Sequence, residues 1–171
     1  MPRFVALLRG VTPTNAKMPE LKTCFEQAGF ANVKTLLATG NVAFDARARS
    51  EAVLLREIEA AMEEHIGRVF STLVRPSTHL RALIGTDPYA GFRVPAAAKR
   101  VVTFLPEAPK ATIVLPIEAD GVQILRVDGR EAFTAYVPHP KGPVFMTMIA
   151  KCFGTNVTTR TWDTVKKCAL A

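Results

Sequence analysis

The chain has 171 residues, of which 49% are hydrophobic and 22% are charged, a composition that excludes extended disorder. Its formal net charge is +7, which favours anionic partners such as nucleotides, RNA or anionic metabolites. The positive charges are scattered, and no run of five like charges occurs. This pattern argues against a basic tail that binds nucleic acid by itself.

Three cysteines, Cys24, Cys152 and Cys168, are widely spaced, and no Cys-x-x-Cys pair suggests a zinc or thioredoxin-type site. We predict that they are reduced core thiols of a cytoplasmic protein. The apolar run from Phe4 to Leu8 is too short for a signal peptide or a membrane span. No other stretch approaches the roughly 18 apolar residues that a membrane span needs.

Residues 1–86 carry the strand and helix signals of one ferredoxin-like half. Gly40-Asn41 predicts a tight hairpin, because glycine takes positive φ without steric cost. Ser50 is suited to cap the second helix, whose apolar stripe is expected to include His65. The predicted order is a strand over 4–8, a helix between 19 and 29, strands over 33–38 and from 42, a helix between 50 and 67, a strand over 69–74 and a short helix from 77.

Residues 87–98 contain two prolines and three consecutive alanines, which indicates a connection between halves. Residues 99–171 then restart the pattern as a second half with a C-terminal helix. Asp128-Gly129 predicts its hairpin. The predicted order is a strand over 100–105, a short helix between prolines 106 and 116, strands over 122–127 and 131–137, a helix between 143 and 154 and a last helix over about 161–170.

The predicted fold is therefore α+β, with duplicated ferredoxin-like (βαββαβ) halves, antiparallel sheets and one compact unit. The halves share an order of elements and a hairpin at the same place in that order, which indicates a structural duplication.

Three blocks of sequence resemble a known family. The first is Leu7-Leu8-Arg9-Gly10-Val11, followed by Lys17-Met18 and Leu21. The second is Gly29-Phe30 through Val33 to Thr39-Gly40-Asn41-Val42-Ala43-Phe44, and the third is Thr158-Thr159-Arg160-Thr161-Trp162-Asp163-Thr164-Val165. The chain is similar to the bacterial domain-of-unknown-function family DUF 1697, whose members carry corresponding blocks in the same order. The resemblance implies the duplicated ferredoxin-like fold and assigns no activity.

The first loop departs from the pattern of that family. Its members usually have asparagine, valine and two glycines there, whereas this chain has Thr12-Pro13-Thr14-Asn15. Losing two glycines removes backbone freedom and close approach to a ligand. If relatives cradle a phosphate in this loop, this chain is expected to bind it differently or not at all.

These blocks and the first loop contain polar residues that suit an anion. The donors are the guanidinium groups of Arg9 and Arg160 and the ammonium group of Lys17. The hydroxyl and backbone N–H groups of Thr158 and Thr159, before the last helix, add further donors. The candidate ligand-binding residues are Arg9, Gly10, Asn15, Lys17, Gly40, Asn41, Thr158, Thr159 and Arg160. The alternative is that each has a local structural role, with Arg9 paired to a carboxylate, Asn41 making the turn and Thr159 or Thr161 capping the helix.

No motif assigns a reaction. The three histidines form no metal-binding pattern, and neither a serine-nucleophile elbow nor a common nucleotide-binding loop occurs, so no metal, cofactor or catalytic residue is predicted. Whether the chain is an enzyme stays open. The leading prediction is a cleft for a small anion or nucleotide-like ligand at the junction of the halves.

Two alternatives remain open. A nucleic-acid-binding module would need exposed aromatic side chains on the central strands, for which only Phe4 and Phe44 are available. A homo-oligomeric interaction or structural protein would use the edge strands of ferredoxin-like sheets, so a homodimer is the third hypothesis. The ligand and the oligomeric state are not encoded in any motif.

Overall fold

The computed structural model describes residues 1–171 and contains five helices and nine strands. All strand pairs are antiparallel, which confirms the predicted α+β class with antiparallel sheets. The chain divides into two compact units, one made of Met1–Leu83 with Lys166–Ala171 and the other of Ile84–Val165. Residues 87–98, expected as a connection, therefore group with the second unit, and the last six residues group with the first. No helix combines the length and apolar character needed to span a bilayer.

The first unit has the strand order β2-β3-β1-β4, with helices in both crossovers, which is the expected ferredoxin-like order. Its elements are β1 (Arg3–Leu8), α1 (Met18–Gln27), β2 (Ala31–Leu36), β3 (Asn41–Asp45), α2 (Glu51–His65), β4 (Thr72–Pro76) and α3 (Ser77–Gly85).

Helix α1 has Pro19 in its first turn, where proline costs no hydrogen bond, and Gly29 follows it with a φ of +91°. Ser50 caps α2 as expected, because its Oγ accepts a hydrogen bond from the Val53 amide at 3.2 Å. His65 does not belong to the buried stripe of α2. That stripe ends on Ala61 and Met62, and His65 is exposed.

The second unit has the strand order β6-β7-β8-β5-β9. Without the edge strand β6, its order β7-β8-β5-β9 matches that of the first unit. Its elements are β5 (Lys99–Phe104), β6 (Ile117–Ala119), β7 (Val122–Asp128), β8 (Glu131–Tyr136), α4 (Val144–Phe153), β9 (Thr158–Thr161) and α5 (Trp162–Ala169), the last of which crosses the boundary between the units.

The prediction of a short helix between prolines 106 and 116 is wrong. This segment is irregular and leads into the three-residue strand β6. Pro106, Pro109 and Pro116 each lack a backbone N–H and clash with a preceding helical turn, so a helix over this segment would lose its hydrogen bonds. The first crossover of the second unit therefore has no α-helix.

Three boundaries also differ from expectation. Residues 158–161 form the edge strand β9, which pairs with β5. The β2–β3 connection has four residues, 37–40, so Asn41 opens a strand instead of forming the tip of the turn. Asp128 pairs with Glu131, so Gly129 and Arg130 connect β7 to β8. The threonine-rich sequence of β9 favours a strand, but four residues are too few to show an alternating pattern.

Tyr89 fixes the start of the second unit to its sheet. The side chain is buried, and its hydroxyl donates to the carbonyl oxygens of Val101 and Thr134, each 3.0 Å away. Its ring also contacts Trp162 edge-on, with centroids 5.5 Å apart. Trp162 is half-buried in this contact, which agrees with a packing role.

Candidate functional site

The loop that follows β1 contains four candidate residues, Arg9, Gly10, Asn15 and Lys17. Gly10 takes a left-handed φ of +81°, which turns the chain out of the strand. Asn15 then closes the loop, since its side-chain amide donates to the Gly10 carbonyl at 2.8 Å and its Oδ1 accepts from the Thr12 amide at 2.8 Å. This asparagine therefore positions the loop backbone.

Two exposed cations flank this closed loop. Arg9 precedes it and Lys17 ends it, and both side chains are open to solvent. Between them, the hydroxyl oxygens of Thr12 and Thr14 lie 2.9 Å apart, also on the exposed side. Glu20 accepts a long hydrogen bond of 3.4 Å from the Lys17 amide, so one carboxylate also lies at the end of the loop.

The β2–β3 turn packs directly against this loop. The Leu8 amide donates to the Gly40 carbonyl at 2.8 Å. Gly40 has a φ of +87°, and a Cβ there would lie 2.9 Å from Val11 Cγ2 and 3.0 Å from the Leu8 carbonyl oxygen. Only glycine fits this approach, so the role of Gly40 is to bring the turn and the first loop together.

Asn41 is fully buried and holds the turn from within. Its Nδ2 donates to the Leu36 carbonyl and to Thr39 Oγ1, both at 3.0 Å. These contacts support the local role that the sequence offered as the alternative for Asn41. Thr39 itself is exposed at the end of the turn.

The other three candidates, Thr158, Thr159 and Arg160, lie in β9 of the second unit. Arg160 is 8% exposed, and its Nη1 donates to Thr158 Oγ1 at 2.7 Å and to the Thr159 carbonyl at 2.8 Å. Helix α5 begins after this strand, where Thr161 Oγ1 accepts from the Thr164 amide at 3.3 Å. Residues 158–160 therefore lie in a paired strand that leads into α5, and Thr161 has the capping role.

The structure thus brings six candidates together at one end of the first sheet. Their elements are the end of β1, the first loop and the β2–β3 turn. The other three form a separate cluster on the edge strand of the second sheet.

A family model described as a protein of unknown function (DUF1697) matches residues 1–133. The chain belongs to the DUF1697 family. The match includes the first two sequence blocks and ends before the third, which lies over residues 158–165. A comparison with curated proteins finds no match.

One solved structure similar to this DUF1697 chain is that of conserved bacterial protein SP0830 from Streptococcus pneumoniae. It is 18% identical, with a TM-score of 0.73, over 99% of this chain and 97% of that chain. At this identity the similarity concerns the fold alone, and it supports the α+β architecture along the whole chain.

In this DUF1697 member, Asn15 offsets the lack of the two glycines expected in the first loop. Its two side-chain hydrogen bonds close a turn in which the Asn15 and Ala16 amides also bond to the Thr12 carbonyl, both at 3.2 Å. The loop is therefore shaped by a side chain, and the hydroxyls of Thr12 and Thr14 occupy its exposed surface.

Base stacking on the central strands is not available in this DUF1697 chain. Phe4 is 5% exposed and Phe44 is fully buried, with ring centroids 5.8 Å apart. Phe44 also contacts Phe25 and Phe30, which lie on and after α1. Both strand aromatics are therefore core residues, which removes the surface that an RRM-type interaction requires.

The thiols of this chain are unpaired with one another, and no group of three or more His, Cys, Asp or Glu side chains is placed to hold a metal ion. Cys24 and Cys168 are buried, while Cys152 is half-buried. Burial raises the pKa of the Cys24 thiol to about 11, which leaves it unreactive at neutral pH.

Sequence reasoning missed the hydroxyls of Thr12, Thr14 and Thr39 as surface groups of this region. The signal was present, since Thr39 belongs to the second block and Thr12 and Thr14 lie in the loop that departs from the family pattern. The sequence does not predict the contact between the first loop and the β2–β3 turn, because this contact depends on β1 pairing with β3.

Proposed function

We propose that the first unit binds a small anion of the phosphate class at the surface made by the first loop and the β2–β3 turn. The observation that carries this proposal is the loop closed by Asn15, which presents Arg9 and Lys17 at its two ends. The proposed function is ligand binding, and no residue arrangement here assigns a reaction.

Charge and preorganisation both support this surface. Arg9 supplies a guanidinium that matches phosphate or carboxylate oxygens, and Lys17 supplies a second positive charge. The hydroxyls of Thr12 and Thr14 add uncharged donors between them. Because Asn15 already holds the loop backbone, binding would order few additional groups, which lowers its entropic cost.

Gly40 and Asn41 act by position in this proposal and do not contact the ligand. Gly40 permits the close approach of the turn, and Asn41 holds the turn in shape. Thr158, Thr159 and Arg160 belong to the second unit, and their part in ligand binding stays a prediction. An Arg160→Lys variant tests it separately.

The experiment is an NMR titration of the whole chain with inorganic phosphate and with AMP. We expect shifts at residues 9–17 and 39, and a loss of affinity in the double variant Arg9→Ala/Lys17→Ala. Removing one charge-assisted hydrogen bond costs about 1.5–3 kcal/mol, roughly a ten- to hundredfold loss of affinity. The matched control Lys22→Ala/Arg56→Ala removes two exposed charges from helices of the same unit and should bind as the unchanged chain does.

Two results would overturn the proposal. One is equal binding by both double variants, which would indicate general charge attraction. The other is binding of single-stranded RNA with no binding of phosphate or AMP, which would favour the nucleic-acid alternative. RNA binding would weaken steeply with salt, in proportion to the phosphates contacted.

We also retain two further predictions, cytoplasmic location and a homodimer. No disulfide joins the three cysteines, which is consistent with a reducing compartment. Strands β2 and β4 are the edges of the first sheet, and β6 and β9 those of the second. An edge is a possible pairing surface, so sizing and light scattering of the purified chain test the dimer.

A further inference from the structure

The second unit contains a pocket of about 300 Å³ between the segment after β5 and the end of α4. Its lining includes the buried Leu105 and the half-buried Cys152 and Phe153. The exposed Ala108 and Lys110 lie on the segment side. None of the candidate anion-binding residues lines it, so it is a separate site.

The pocket lies beside the apolar cluster that packs under α4. Seven buried apolar residues form this cluster, among them Phe145 and Ile149 of α4. Leu115, Cys152 and Phe153 pack against this cluster and are only half-buried. The first crossover of this unit lacks the helix that α1 supplies in the first, so apolar surface remains incompletely covered.

The segment that replaces this helix does not fill the space. Residues Ala108–Ile113 line a further pocket of about 370 Å³, which also includes Val127 and Gly129. The segment therefore lines two pockets. Val114, which follows it, is 86% exposed, so its side chain does not cover the core either.

The chemistry of the first pocket favours an uncharged ligand. Lys110 and Glu107, its two charged lining residues, form a mutual pair at 3.9 Å with side chains 87% and 72% exposed. Such an exposed pair contributes little attraction to either sign of charge. Affinity would come from apolar contact with Leu105, Phe153 and the Cys152 thiol, in the way that apolar ligand pockets work.

The size of the pocket limits the ligand. An apolar cavity of about 150 Å³ can hold benzene. A pocket of about 300 Å³ is at the lower end of ligand-site volumes and has room for a fused two-ring molecule, on the order of a dozen non-hydrogen atoms. We propose that this pocket binds a small uncharged aromatic or aliphatic molecule, which completes the core of the second unit where the crossover helix is missing.

Cys152 provides a reporter inside the pocket. The experiment measures its alkylation by N-ethylmaleimide in the whole chain, by mass spectrometry of the modified peptide, as 2-naphthol is added. At a naphthol concentration ten times its dissociation constant, mass action predicts about a tenfold slower alkylation of Cys152. Phosphate at the same concentration should leave the rate unchanged, because the proposed ligand is uncharged.

A pair of variants on α4 distinguishes the pocket from general surface binding. Cys152→Phe places a ring in the pocket and should abolish the naphthol-induced NMR shifts at residues 105–113. Met146→Phe adds the same ring to an exposed position of the same helix that does not line the pocket, and should keep them. If Cys152→Phe does not fold, the alkylation measurement on the unchanged chain decides the question.

Three outcomes would overturn the proposal. They are unchanged Cys152 alkylation up to the solubility of naphthol, equal protection by phosphate, and equal naphthol shifts in both variants. The anion proposal for the first unit rests on other residues and another probe, so it can fail or hold independently.

Discussion

Arg3 Nε donates a hydrogen bond of 2.8 Å to the backbone oxygen of Ala171, a residue 168 positions later in the chain. The same guanidinium bonds to Asp45 Oδ1 at 2.7 Å and to the Asn32 carbonyl at 3.2 Å. Residues 166–171 group with the first unit, and Arg3 is one of the contacts that hold them there. A single side chain of β1 thus joins the β2 and β3 strand ends to the last residues of the sequence.

Replacing Arg3 by alanine should destabilise the chain by about 1–3 kcal/mol, because a charge-assisted pair and two backbone contacts are lost. Arg3→Lys should recover part of the stability lost in Arg3→Ala, since lysine keeps the charge but lacks the planar guanidinium geometry. Urea unfolding measures the change as a lower midpoint at unchanged slope. The control is Arg47→Ala, an exposed position, and equal midpoints for the two alanine variants would contradict the role of Arg3.

The contribution of Asp45 should disappear at acidic pH. The hydrogen bond from Asn32 lowers the pKa of the Asp45 carboxyl most, with Arg3 adding to the effect against opposing burial. A carboxyl whose pKa is lower in the folded state contributes stability above its unfolded pKa of about 3.9, and loses it as the pH falls through the folded value.

Asp45→Asn should therefore be less stable than the unchanged chain at neutral pH, with a difference that shrinks below about pH 4. Urea midpoints measured across that range test this. Asp128→Asn, at an exposed hairpin position, is the control. A difference that stays constant with pH would show that Asp45 acts through packing and not through its charge.

Gly40→Ala should destabilise the chain more than Gly67→Ala, in which the added Cβ causes backbone strain but no close contact. At Gly40 a left-handed φ of +87° is combined with a Cβ contact of 2.9 Å, whereas at Gly67 a φ of +74° has no atom within 4 Å of a Cβ. A strained φ alone costs about 1–3 kcal/mol, so Gly67→Ala measures that part and Gly40→Ala should exceed it. Thermal unfolding of both variants gives the comparison, and similar losses would show that the loop and turn relax apart easily.

One thiol per chain should react rapidly in the native protein. Cys152 is half-buried, whereas Cys168 is 1% exposed and Cys24 is both buried and held as a thiol by its pKa of about 11. Titration with a chromogenic disulfide reagent should give one fast thiol, and all three after denaturation in guanidinium. A Cys152→Ser variant should lose the fast phase, and a remaining fast thiol would mean that one of the buried cysteines becomes exposed.

Local chemistry determined much of the fold. Pro19, Ser50, Gly29 and Gly154 lie at helix ends as predicted, because capping and positive φ depend on single residues and their neighbours. The two central strands were also readable, since continuous apolar runs such as Phe4 to Leu8 indicate burial on both faces. The three sequence blocks indicated the family that the match over 1–133 confirms.

Tertiary structure decided the rest. Thr158–Thr161 forms a strand because it pairs with the edge of β5. The spacing of the prolines in the segment after β5 does not predict the pocket that this irregular segment lines. Composition and local pattern determined the α+β class and the helix ends. Long-range pairing determined that Gly40 meets Leu8 and that Arg3 holds Ala171, because such contacts depend on register between segments far apart in the chain.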